Sequence, residues 1–320
     1  MAKKFLKYIG KYIGKYIALA LAVMAFPWAV TLAFGHGNNE YIYETAKSCF
    51  YVTTPEGNID LEDFTAFVVA SQMDINEEEE ALKAQAVIVR TYIYQLLKES
   101  DTDNVTAEAT GFTYRTYKEL EDLWKEKFAD NYNKLMKVVD NTACLVITYE
   151  DEPIKPYFHS SSSGYTRNGS ELFEEKMPYL LSVQSSKDVE SDNYLQGILM
   201  EKKDFVTKLR NTKKDISISD ESPLETMQII SRCSAGYIES LQIGNVVMTG
   251  DEFAHILELN SPNFQVEEYE GKIRVITKGM GHGLGLSMYG AREMAKNGKG
   301  YEEILKHYYT GVEIEELIKK

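Results

Sequence analysis

The sequence predicts an α+β fold behind an N-terminal transmembrane helix, and three observations predict it. Residues 16–35 carry no charged side chain, and about 20 such residues suffice for a helix to cross a bilayer. Beyond residue 58, segments with apolar residues at helical spacing mix with short β-branched and aromatic runs, with no linker or low-complexity break between them. Near the end, glycine occupies every second position at Gly279, Gly281, Gly283 and Gly285, directly ahead of a capped helical segment.

The membrane segment comes first. Lys3, Lys4, Lys7, Lys11 and Lys15 precede it and no acid does, so the positive-inside rule keeps residues 1–15 as a cytoplasmic tail and sends the rest outward. A cleaved signal peptide fits less well, because Ala33-Phe-Gly35 is a poor cleavage site and the apolar stretch exceeds the usual ~7–15 residues. The expected location is therefore the cell membrane, single-pass, with an external domain. The chain's net charge is -14, and beyond those five lysines the balance is 30 basic against 49 acidic residues, or -19. Nucleic acid is thereby excluded as a partner, since phosphate binding needs clustered positive surface. Three scattered cysteines, Cys49, Cys144 and Cys233, give neither a disulfide framework nor a zinc knuckle.

Residues 36–57, with turn-formers at 37–39 and 55–57, read as a linker, and 58–320 as one external unit. Asp60 can cap a helix whose buried positions are Phe64, Phe67 and Val68, with Gln72 near its end. Glu77 to Glu80 open a second helix over 81–98, with Leu82, Ala86, Val89, Ile93 and Leu96 as its stripe. Strands are expected at 143–149 and 154–159, followed by the polar loop Ser160-Ser-Ser-Ser-Gly164. Residues 200–275 hold a helix around 205–209, strands at 228–230, 238–243 and 273–276, and a helix over 250–257. They are open to being a smaller lobe. Ser287 can cap a helix carrying Ala291, Met294 and Ala295 that stops at Gly298, and a last helix follows over 301–309.

The glycine run is not a nucleotide loop, for neither G-x-G-x-x-G nor a Gly-Lys-Ser/Thr cradle can be laid on it. A hydrolase pairing Ser161 or Ser163 with His282 lacks the Gly-x-Ser-x-Gly context.

Three longer motifs carry a resemblance. Ala81-Leu-Lys-Ala-Gln-Ala-Val-Ile-Val-Arg-Thr-Tyr92, Tyr157-Phe-His-Ser-Ser-Ser-Ser-Gly-Tyr-Thr166 with Tyr179-Leu-Leu-Ser-Val183, and Gly281-His-Gly-Leu-Gly-Leu-Ser-Met-Tyr-Gly-Ala291 stand in order along the chain. Together with Gly250-Asp-Glu-Phe-Ala-His-Ile-Leu257 they resemble the stage II sporulation protein D family, of SpoIID/LytB type, over about residues 58–315.

The resemblance implies binding and cutting of peptidoglycan glycan strands stripped of stem peptides, as lytic transglycosylases do during engulfment of the forespore. One carboxyl group suffices for that reaction. It protonates the glycosidic oxygen, then as a base helps the 6-hydroxyl of N-acetylmuramic acid close onto C1, leaving a 1,6-anhydro end. Ordinary glycosidases need two carboxylates. The resemblance also implies a groove lined by Gln72, Lys83, Arg90, Ser162, Ser163, Tyr165 and His282. It implies a cell-wall amidase or other engulfment proteins as partners, and no cofactor.

The chain departs from the family at the acid itself. Where the pattern reads Val-Val-Ala-Ala-Glu-Met, this chain reads Val68-Val-Ala-Ser-Gln-Met73. Glutamine cannot give or take a proton, and loss of a general acid forfeits ~10²–10⁴ in rate. Two readings stand. Either Asp74 or Glu77 substitutes, which for Asp74 requires that the helix has already ended, because two residues turn a helical side chain by ~200°. Or the chain is a pseudoenzyme, a glycan-binding or amidase-modifying module. Met288 stands where the family usually has Gln. Some members hold zinc near the serine loop. Here His159 is accompanied by Ser162 and Ser185 rather than thiolates, so no structural metal is expected.

Overall fold

The computed structural model describes residues 47–173 and 176–317, a mixed α+β unit. The expected tail, the membrane helix at 16–35 and the first part of the linker lie outside the described residues. Among the described residues no helix is long and apolar enough to cross a membrane.

The end of the expected linker is structured. Strands β1 (Tyr51–Thr54) and β2 (Gly57–Asp60) form an antiparallel hairpin, and Val52 is fully buried under it. Asp60 then caps helix α1 (Leu61–Gln72) by accepting from the Glu62 backbone N–H, as its side chain predicts. Helix α2 (Glu79–Glu99) follows, with Glu79 and Glu80 in its first turn. Residues 100–142, for which no elements were expected, supply strand β3 (Asn104–Thr106), paired parallel to β1, and helices α3 (Ala107–Thr110), α4 (Tyr117–Trp124) and α5 (Phe128–Asp140). Helix α4 starts on a capping box between Thr116 and Glu119.

Strand β4 (Leu145–Tyr149) pairs with the short β5 (Glu152–Pro153) and with the terminal strand. The strand expected over 154–159 shrinks to β6 (Phe158–His159). Pro156 lacks the N–H that a ladder requires. A second region carries β7 (Leu195–Met200), α6 (Lys202–Thr212), β8 (Gln228–Arg232), β9 (Ile238–Ile243), β10 (Val246–Met248), α7 (Gly250–Leu257), β11 (Phe264–Tyr269) and β12 (Lys272–Lys278). Its core, from Phe205 to Val275, is assembled from these residues alone. The chain ends through β13 (Leu286–Ser287), α8 (Met288–Lys296), α9 (Tyr301–Tyr308) and β14 (Glu313–Glu316).

Helix α2 is buried on two faces. Leu82, Ala86, Val89 and Ile93, with Leu97 in place of Leu96, face α1 and α5. Ala84, Val87 and Ile88 face β4, α8 and α9. It is the wall shared by both halves of the molecule.

Arg90 projects from α2 into this wall and is wholly buried, as is Glu62 of α1. Its Nε and Nη2 donate to the Glu62 carboxylate at 2.9 and 2.6 Å, and Nη1 donates to the Leu145 carbonyl at 3.1 Å. Glu62 also accepts from the Cys144 backbone N–H at 3.0 Å. The sequence reading put Arg90 in the groove; instead its guanidinium ties α1, α2 and the start of β4 together. A buried pair adds little over a well-packed apolar pair, but removing one partner strands a charge. We expect Arg90→Met to lower unfolding stability by about 3–5 kcal/mol. Arg90→Met with Glu62→Leu should recover most of that loss, read from urea midpoints.

Candidate functional site

The glycine alternation exists because two backbones come into contact. Gly285 has φ 64°, and a Cβ there would stand 1.9 Å from the Tyr157 carbonyl oxygen. At Gly281 a Cβ would stand 2.7 Å from the Cβ of His159. The glycine segment thereby reaches the serine loop through Ser161 N–H to Met280 O at 3.0 Å and Met280 N–H to Ser161 O at 2.7 Å. β13 then pairs in parallel with β6. Ser287 caps α8 by accepting from Gly290 N–H at 3.1 Å, the cap the sequence predicts.

A polar knot holds the serine loop from behind. Asp188, fully buried, accepts from Ser162 N–H at 2.6 Å and from the Ser287 hydroxyl at 2.9 Å. Burial pushes its carboxyl above the usual range, and the serine hydrogen bonds oppose that push. The Ser185 and Tyr308 hydroxyls pair at 2.8 Å beside it. The zinc of some family members does not fit this donor set. Hydroxyls stand where thiolates would be needed, and His159 Nδ1 is engaged with the Leu284 carbonyl at 3.0 Å.

The groove lies in front of this frame. A cavity of about 220 Å³ is bordered on one side by Gln72, Met73, Asp74 and Glu77, and on the other by Ser160, Ser161, Met288, Tyr289 and Arg292, with Ser191 to Asn193 at its rim. A second cleft, about 420 Å³, shares Gln72, Met73 and Asp74 and continues to Arg115, Trp124 and Asn131. The two make one track across the end of α1. Helix α1 does end at Gln72: Met73 is extended, with φ -131° and ψ 148°. Asp74 is therefore not turned to the back of a helix, and it borders the same track as Gln72.

The side chains around that end are specific. Gln72 Oε1 accepts from Nε2 of the buried Gln85 at 2.8 Å. Asp74 Oδ1 accepts from Asn76 N–H and Nδ2, both at 2.8 Å. Glu77 meets Arg292 Nη1 across the track at 3.2 Å.

The structure thus brings together Gln72, Asp74 and Glu77 but not the other expected residues. Lys83 is drawn along its own helix to Glu79 and Glu80, at 2.9 and 2.8 Å. Ser162 is fully buried, its hydroxyl accepting from Gly164 N–H, and the Ser163 hydroxyl donates to the Ala235 carbonyl at 2.8 Å. Tyr165 is exposed and lies off the track, and His282 lies behind it, Nδ1 accepting from Leu284 N–H at 3.1 Å. Sequence reasoning missed Ser160, Tyr289, Arg292 and Trp124 as wall residues. For Tyr289 and Arg292 the signal was present, since they sit one turn apart just after the Ser287 cap.

The family model described as stage II sporulation protein matches residues 52–149, which span α1, α2 and the Arg90–Glu62 pair. Stage II sporulation protein D of Bacillus amyloliquefaciens is 34% identical over 265 residues, 81% of this chain and 75% of that protein. The chain belongs to the stage II sporulation protein D family. The Bacillus subtilis protein of the same name is 32% identical over the same shares of both chains. An amidase enhancer of Bacillus subtilis is 26% identical over 76% of this chain and 39% of its own length.

In this member of the sporulation protein D family, two histidines, His159 and His282, lie side by side with their rings tilted 56° to one another and centroids 5.8 Å apart. His159 is buried, and its Nε2 has no hydrogen-bond partner. Burial first, and the neighbouring His282 second, push its pKa down to about 3. Unfolded histidine titrates near 6.5. Between those values the unfolded chain binds a proton that the folded chain does not, so stability falls as pH falls. We expect urea midpoints to drop from about pH 6.5 downward, with a smaller slope for His159→Asn than for wild type; equal slopes would show that His159 is not the group responsible.

Proposed function

We propose that this chain binds peptidoglycan glycan strands along the track that crosses the end of α1. The observation that carries the reading is the lining itself. Hydroxyls (Ser160, Tyr289), amides (Gln72, Asn131), carboxylates and the flat side chain of Trp124 lie along one open path. Sugars combine such polar edges with apolar ring faces, and aromatic side chains offer both a face and a polar tip. Family membership supports a role at the cell wall in sporulation. The amidase enhancer among the relatives supports a cell-wall amidase as a protein partner. In the same proposal, residues 16–35 anchor the domain on the outer side of the cell membrane.

Binding without cutting is the first form of the proposal, because Gln72 stands at the family's acid position. It holds its hydrogen bond to Gln85 but carries no proton to give. A second form, cleavage, is favoured by the end of α1 at Gln72. Asp74 borders the track with Oδ1 taken by Asn76, leaving Oδ2 to face a ligand. In that form Asp74 protonates the glycosidic oxygen, then takes the proton of the muramic 6-hydroxyl as that oxygen closes onto C1. Glu77 serves in this role only if it leaves Arg292.

The test is digestion of amidase-treated, peptide-free glycan by the purified full-length chain, with mass detection of 1,6-anhydro ends. For the binding form we expect no product from wild type and product from Gln72→Glu, a gain of at least ~10²-fold. Product from wild type that disappears in Asp74→Asn establishes the cleaving form instead. Failure of wild type to bind the glycan at all sinks both.

A further inference from the structure

We infer that Arg292 recognises a carboxylate on the bound glycan and that Glu77 occupies its place while the track is empty. The inference rests on the glycan-binding reading above and adds which sugar the track selects.

Arg292 sits on α8, on the wall facing Glu77. Its guanidinium lies over the Tyr289 ring, 4.3 Å from the centroid, which fixes the plane of the group. The contact with Glu77 is a single 3.2 Å hydrogen bond between residues 215 positions apart. Nε approaches Glu293 only at 3.5 Å and makes no hydrogen bond. The fork of donors that suits a carboxylate is thus oriented but makes one hydrogen bond to a carboxylate, with Glu293 at ion-pair distance from Nε, unlike Arg90, which grips Glu62 with two nitrogens inside the core.

Both partners of the groove pair remain partly open, with side-chain exposures of 28% and 20%. A partly exposed pair of this kind contributes little to stability. A ligand carboxylate that takes the fork with two bonds therefore replaces Glu77 at small loss. Any strand lying in the track passes between the two walls that this pair connects.

The chemistry names the ligand group. Of the two alternating sugars in peptidoglycan, only N-acetylmuramic acid carries a carboxyl group, on its lactyl ether. That group is a free anion only where no stem peptide is attached, because the peptide is joined there as an amide. Arg292 consequently favours strands from which the peptides have been removed. Stem peptides end in carboxylates of their own, and these are the competing source of the same chemistry.

The experiment measures equilibrium binding by the full-length chain to four probes of matched length: peptide-free glycan, the same glycan with its lactyl carboxylates amidated, peptide-bearing glycan, and chitin oligosaccharide. We expect wild type to prefer peptide-free over amidated glycan by about 10-fold, the effect of a charge-assisted pair. Arg292→Gln should reduce that preference to about 2-fold or less on the same basis. Glu77→Gln should move the other way, tightening peptide-free glycan and leaving amidated glycan unchanged, since it removes a competitor for Arg292. If the bridge merely holds the two walls together, both variants weaken all probes alike, and the inference is overturned. Peptide-bearing glycan binding as tightly as peptide-free glycan overturns the lactyl assignment. Wild type binding all four probes equally overturns this inference alone, whereas binding none of them overturns the glycan reading beneath it.

Discussion

Everything on one wall of the track depends on how closely the glycine segment approaches the strand and loop at 157–161. Any side chain at Gly285 would overlap the Tyr157 carbonyl, and any at Gly281 would overlap His159. Without that approach Ser160 and Ser161 could not lie beside Tyr289, whose N–H donates to the Ser160 carbonyl at 3.0 Å. Glycine in these positions costs conformational entropy on folding. The cost is offset by what is packed behind: the Asp188 knot, the Ser287 cap and the third core under α8 and α9. Ser287 serves twice, accepting from Gly290 as a cap and donating to Asp188, so the start of α8 and the rear of the serine loop are set by one hydroxyl.

The opposite wall is set by a different device. The Arg90–Glu62 pair fixes α1 against α2 within the first core, and Gln85, also on α2, fixes the amide of Gln72 at the end of α1. The track therefore runs between two frames, one held by backbone proximity and one by buried charge and amide pairing. The Glu77–Arg292 contact and the bond from Tyr301 N–H to Glu80 at 2.8 Å join them. Of these two joints the first lies in the track itself.

The sequence showed elements and caps better than depth. Asp60 and Ser287 cap as expected because capping is a local matter between a side chain and the next turn. Strand β9 and helix α7 appear over the expected residues because their apolar spacing is regular. Periodicity gives the face of a helix, however, not what lies opposite. Lys83 and Arg90 both sit on α2, yet one reaches back to surface glutamates and the other is sealed inside. Only the position of Glu62 on another helix decides between them. The serine loop is harder still, because an irregular backbone gives its neighbours no fixed period. Ser160 borders the track half-buried, while Ser161 and Ser162 are buried, Ser162 with a tight backbone bond to Asp188. The hairpin over β1 and β2 was hidden because its turn residues, Pro55-Glu-Gly57, resemble those of a linker, and only the burial of Val52 distinguishes the two.

The glutamine at position 72 acquires its meaning from this setting. Its Oε1 accepts from Gln85 Nε2, a bond that a carboxylate oxygen at the same place could accept equally well. Gln85 is fully buried, so its Nε2 donor is held against the side chain at position 72. Relative to the Glu of the family pattern, Gln72 has one oxygen exchanged for an amide nitrogen. Such an exchange leaves ligand positioning in place while removing proton transfer, and positioning is the larger part of what holds a glycan in a groove. In the binding form proposed above, binding and chemistry are separated by a single atom at the end of α1.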